Sequence, residues 1–177
     1  MKKTLMVASL MLLAASMSYA QGVVSVPTTT LTVSVGAEAA IVVGNTTVTP
    51  GTGSFANWAL STPFTYYIRT SASGGTGTIA VQITHDFSTG AGPSVANSAS
   101  TGDYLTYTCS IETPATSCTG SQTASTTTAT PVASFGAGAL SAKTGNAANT
   151  VAWTLINDPA YAQGSYAATA TFTITAL

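Results

Sequence analysis

The chain has 177 residues, 45% of them apolar and only 5% charged, against roughly a quarter charged in ordinary domains. Beyond Lys3 the only cations are Arg69 and Lys143, set against five acids: Glu38, Asp86, Asp103, Glu112 and Asp158. No basic patch can form, which excludes nucleic acid and an anionic membrane surface as electrostatic partners.

So little charge has two readings. A subunit packed into a polymer does not need charge for solubility, and buried charge would carry a desolvation penalty. Alternatively, the many Ser, Thr, Asn and Gly residues hydrate the surface of a monomer.

Lys2 and Lys3 precede an apolar run from Leu5 to Ala15, and Ser18-Tyr19-Ala20 supplies small residues before a cleavage point. This pattern predicts a secretory signal peptide over residues 1–20, too short to span a bilayer. No later segment is apolar for long enough to cross as a helix. The expected destination is the periplasm in transit, then the cell surface or medium.

In Thr30-Leu31-Thr32-Val33-Ser34-Val35 the apolar residues Leu31, Val33 and Val35 alternate with polar ones, the pattern of a half-buried strand. Gly36-Ala37-Glu38 breaks it, and Ala39 to Val43 predicts a second strand. Asn45-Thr46-Thr47 is a glycosylation sequon with little weight in an apparently bacterial chain. Pro50-Gly51 marks a turn, and a short helix is expected around Ser54 to Leu60. Further strands are predicted over Phe64 to Thr70, Thr78 to Phe87, Tyr104 to Ile111, Ser117 to Ala124, Val132 to Phe135 and Thr150 to Ile156. Gly74-Gly75, Gly90 to Pro93, Gly102-Asp103 and Asn157 to Pro159 punctuate them. The Ser/Thr-rich stretch Thr119 to Thr130 reads as an edge strand or loop. The last strand has the most regular pattern: Ala168, Ala170, Phe172 and Ile174 share one face, and Thr169, Thr171, Thr173 and Thr175 the other.

Eight or nine short strands without a long helix predict an all-β fold: one immunoglobulin-like β-sandwich over residues 38–177, preceded by an extension over 21–37. Cys109 and Cys118 lie in an exported chain, where two cysteines most often pair. A hairpin centred on Glu112 to Ala115 would set them opposite each other as a cross-strand disulfide.

Catalytic machinery is hard to find. His85 is the single histidine, and its neighbour Asp86 would point to the opposite face of a strand, so the two do not form a base and its orienting group. Gly92-Pro93-Ser94-Val95-Ala96 lacks the last glycine of a nucleophile elbow and the helix that should follow. Gly51 to Ala56 matches a dinucleotide-binding pattern only formally, without strand–helix–strand context. The scattered acids make neither a metal-binding motif nor a convincing glycosidase pair. The expectation is a protein that is not an enzyme and carries no metal or other cofactor.

The two ends of the sandwich sequence resemble chaperone–usher pilin subunits of the alternate-chaperone type. An alternating segment, Leu31, Val33 and Val35, precedes the first core strand. Gly164 and Tyr166 open the alternating terminal strand, as in the C-terminal motif that such pilins present to their chaperone. The same glycine–tyrosine opening resembles, more loosely, the spore-coat-U and WxL groups, the latter also through Trp153-Thr154-Leu155. The penultimate Ala176 departs from the pilin pattern, which often has an aromatic residue there.

The pilin resemblance implies self-association into a polymer by donor-strand complementation, with a periplasmic chaperone and an outer-membrane usher as partners. Leu31, Val33 and Val35, with Val24 and Val26, would be the donor side chains. Gly164, Tyr166, Ala168, Ala170, Phe172 and Ile174 would mark the groove or C-terminal strand. Two alternatives stay open. Thr30 to Val35 can be an ordinary first strand of its own domain. The chain can also be a secreted or surface binding module for carbohydrate or protein, with Trp58, Tyr66, Tyr67, Tyr104, Tyr107 and Tyr161 lining its surface.

Overall fold

A computed structural model of the chain describes residues 29–87, 91–96 and 104–177. The expected signal peptide, Val24, Val26, and the turn residues Gly90 and Gly102-Asp103 lie outside these. Residues 34–177 form one compact unit; residues 1–33 form a second, of which 29–33 are described and carry no strand.

The described part of the larger unit is all β, with two antiparallel sheets packed face to face as a single β-sandwich. The first sheet contains β1 (Glu38–Val43), β2 (Thr47–Thr49), β3 (Trp58–Arg69), β5 (Leu105–Ser110), β7 (Gln122–Thr123) and β9 (Asn146–Leu155). Its order is β1-β3-β9-β5-β7, with β2 also paired to β3. The second contains β4 (Gly77–His85), β6 (Thr116–Ser117), β8 (Thr130–Phe135) and β10 (Thr169–Ala176), in the order β10-β4-β8-β6.

Alternation explains the core. Phe64, Tyr66 and Ile68 of β3, Val151, Trp153 and Leu155 of β9, and Leu105 and Tyr107 of β5 point inward from the first sheet. Ile79, Val81 and Ile83 of β4 and Val132 and Phe135 of β8 meet them from the second. The Tyr66 ring meets Phe135 edge-on at 5.2 Å, and Tyr107 packs on Trp153 at 5.0 Å. Each buried phenol keeps a partner, as buried polar groups must. Tyr66 donates to the Glu112 carbonyl, and Tyr107 reaches across to the Pro131 carbonyl and Thr130 on the other sheet. Burial pushes both phenols above the usual tyrosine value.

Several sequence expectations are corrected. Thr30 to Val35 is not a strand. Residues 52–55 form a bend and turn, and β3 begins at Trp58, so no helix forms around Ser54 to Leu60. The short strand β2 was not anticipated. Cys109 and Cys118 do form a disulfide, with Cα atoms 5.6 Å apart, but not across a hairpin. β5 pairs with β9 and β7 in the first sheet, whereas β6 pairs with β8 in the second. The segment Ile111 to Ala115 crosses between layers, held by Tyr66 on the Glu112 carbonyl and by Ser117 Oγ on Ile111 N–H. The disulfide therefore joins the two sheets.

Candidate functional site

At the opposite margin the edge strands β1 and β10 of the two sheets approach each other without pairing, and the gap widens beside β2. β10 ends the second sheet, pairing with β4 along one side and with no described strand along the other. β1 and β2 together form the corresponding edge of the first sheet. An edge strand presents unpaired N–H and C=O groups, a template for another strand.

The edge formed by β1 and β2 is broken for a local reason. Val43 pairs with Phe64 and Thr47 with Ser61, so four steps on one strand match three on the other. The extra residue falls in Gly44 to Thr46, opposite Pro63. The Pro63 carbonyl accepts from Gly44 N–H at 2.8 Å, but proline has no N–H to return, so the ladder lapses there.

Between this break and the start of β10 lies a groove of about 430 Å³. Val43, Gly44, Thr46 and Val48 form one wall, and Tyr166 to Ala170 with Phe172 the other. Its floor is one end of the core: Leu60, Thr62, Ile83, Phe87, Leu105 and Trp153. The buried Trp153 indole N–H donates to Thr62 Oγ1 at 2.9 Å, and Thr62 in turn bonds Thr46 Oγ1 at 2.7 Å. This chain of hydroxyls ties the broken edge to the core. The surroundings are neutral and largely apolar, which suits a hydrophobic occupant with a backbone able to pair.

The rim beside β10 is braced by Asp86. Its carboxylate accepts from Phe87 N–H (2.8 Å), Val95 N–H (2.8 Å), Ser94 Oγ (2.7 Å) and Ala96 N–H (3.0 Å). Desolvation alone would raise its pKa, but the four hydrogen bonds outweigh it and hold the carboxyl below the usual aspartate value. The loop so fixed meets the segment before β10: Ala162 N–H donates to the Ala91 carbonyl, and the Tyr166 ring lies directly over Gly92, where any Cβ would collide with it. Tyr166 closes the turn by donating to the Ala162 carbonyl at 2.7 Å.

The predicted residues divide accordingly. Tyr166, Ala168, Ala170 and Phe172 line the groove, and Phe172 contacts Phe64 across the layers with ring centres 5.9 Å apart. Ile174 is half-buried farther along the same face, while Gly164 sits in the preceding loop, under the Tyr166 ring. Ala170 is exposed rather than covered. Leu31, Val33 and Val35 belong to no strand and are 89%, 81% and 64% exposed.

Of the aromatic residues considered for a binding surface, Tyr66 and Tyr107 are core, whereas Tyr67 and Tyr104 are exposed. His85 is exposed at the end of β4. Among the described residues no group of three or more His, Cys, Asp or Glu is arranged to hold a metal. The wall from Val43 to Val48 and the floor residues Thr62 and Trp153 were missed; Thr47-Val48-Thr49 and the isolated Pro63 were their signals.

Comparison with family models, with curated proteins and with solved structures gives no match to this chain.

Proposed function

We propose that the chain is an exported, non-catalytic subunit of an extracellular fibre, assembled by strand donation between copies. Thr30 to Val35 of one copy would enter the groove of the next, pairing its backbone with the start of β10, where that strand borders the groove, and burying Leu31, Val33 and Val35. The observation that carries this reading is an apolar groove flanked by two edge strands, in a chain that also has an exposed alternating segment belonging to no strand. Main-chain hydrogen bonds would supply affinity, and alternate side chains specificity. Burying three aliphatic side chains contributes roughly 5–9 kcal/mol before the cost of ordering the segment. Donor and acceptor are different surfaces, so the contact is head-to-tail and builds an open filament.

The test is the double variant Leu31→Asp, Val33→Asp of the exported protein, followed by circular dichroism and electron microscopy. A folded chain that no longer forms filaments supports donation. Filaments formed as readily as by the wild type would refute it, as would unfolding, which would mean that the segment completes its own domain.

A further inference from the structure

A second concavity, of about 420 Å³, lies on the outer face of the first sheet, where β1 and the C-terminal part of β3 meet the loop from Leu140 to Gly145. Both cations of the chain beyond Lys3, Arg69 and Lys143, line it. In a sequence this poor in charge, their convergence from β3 and from a loop 74 residues later needs a physical account.

Each part is held. In the β1–β3 register the small Ala40 stands opposite Tyr67, leaving the ring uncovered on that side. On another side the ring rests against Gly145, which has φ +81°; a Cβ there would come within 2.8 Å of Tyr67 Cζ. Tyr67 is thus a fixed aromatic plate, 37% exposed. Arg69 is aimed by two contacts, Nε to the Gly36 carbonyl at 2.7 Å and Nη2 to Glu38 at 2.9 Å. Its other N–H groups have no partner among the described hydrogen bonds. The Lys143 backbone is set by the turn in which Gly145 N–H meets the Ala142 carbonyl and Ala142 N–H meets Asn146 Oδ1, both bonds being positioned independently of the lysine side chain. Lys143 itself is exposed, with no ion pair among the described residues. Leu140, 63% exposed, adds an apolar rim.

A rigid aromatic face beside two cations, with the Glu38 carboxylate as a hydrogen-bond acceptor, matches a ring that is apolar on one face, hydroxylated at its edge and acidic at one position. We infer that this concavity binds a carboxylated saccharide, its acid group on Arg69 and Lys143 and its C–H face on Tyr67. The guanidinium fork suits a planar carboxylate, and the ring supplies stacking area at little entropic cost. A single site of this kind is weak, with a Kd of about 1 mM. Repetition of the site along a filament would multiply it by avidity. The inference concerns one folded subunit and does not depend on the strand-donation reading.

The test is titration of the mature, full-length chain with trigalacturonate and with 3′-sialyllactose, using maltotriose and lactose as neutral controls, followed by NMR. Binding of either acidic sugar but neither neutral one supports the inference, and the two acids distinguish a uronic from a sialic ligand. Lys143→Ala, at an exposed position without an ion pair, should weaken binding about threefold to tenfold. Arg69→Lys, which retains charge but loses the fork, should weaken it about tenfold. The inference is overturned if no acidic sugar binds at about ten times the expected Kd, if neutral sugars bind equally well, or if Lys143→Ala leaves the affinity unchanged.

Discussion

Replacing Asp86 by Asn removes a charge without changing the shape of the side chain. In the wild type one carboxylate oxygen accepts Phe87 and Val95 N–H, and the other accepts Ser94 Oγ and Ala96 N–H. Asn keeps one acceptor oxygen and turns an amide group toward the other pair. Ser94 can rotate to accept, but the Ala96 N–H cannot and must turn to water, and the two retained bonds lose charge assistance. Hydrogen bonds to a charged group are worth about 1.5–3 kcal/mol. Because Ala96 is exposed, the expected loss is one such bond, about 1.5–3 kcal/mol at pH 7.

The pH dependence follows from the depressed pKa. The carboxylate contributes fully above the unfolded aspartate value of about 3.9, and its contribution is lost as pH falls through the lower folded value. Urea unfolding followed by circular dichroism from pH 7 to pH 2 should therefore show a gap between wild type and Asp86→Asn that is constant down to about pH 4 and narrows below it. The other carboxyls are common to both proteins and cancel in the difference. A gap below about 0.5 kcal/mol at pH 7, or one that persists unchanged to pH 2, would refute the account of Asp86 as the anion that organises this loop.

Two other changes test the frame around the groove. Removing the disulfide by Cys109→Ala with Cys118→Ala opens a short loop and should reduce stability by about 2–3 kcal/mol in the chain-entropy model; calorimetry should find a melting temperature lower by roughly 5–10 °C for a domain of this size. Thr62→Val strips the partner from the buried Trp153 indole N–H and should cost about 1–3 kcal/mol in urea unfolding, with a smaller penalty when Trp153→Phe is already present.

How far the sequence could be read depends on where burial is one-sided. β4, β5, β9 and β10 were legible because each has one face in the core, so Ile79, Val81 and Ile83, or Phe172 and Ile174, recur with period 2. The start of β3 was not. Trp58-Ala59-Leu60 carries good helix formers, and only pairing with β9 and β2 makes it extended. The hairpin assumed for the cysteines failed because local spacing cannot say which sheet a strand joins; that depends on β8 and β9, which follow later in the chain. The site was half legible for the same reason. Its β10 wall is a continuous alternating strand, whereas the other wall arises from a defect, the missing N–H of Pro63, whose effect appears only once β1 and β2 lie beside it.

The bond between Cys109 and Cys118 fastens the margin of the sandwich that lies away from the groove. The two layers are thus bound like the covers of a book, sewn at the spine, while at the fore-edge β1 and β10 only lie close without a hydrogen-bonded seam. Any force drawing the two layers apart would meet that covalent seam before the leaves could separate.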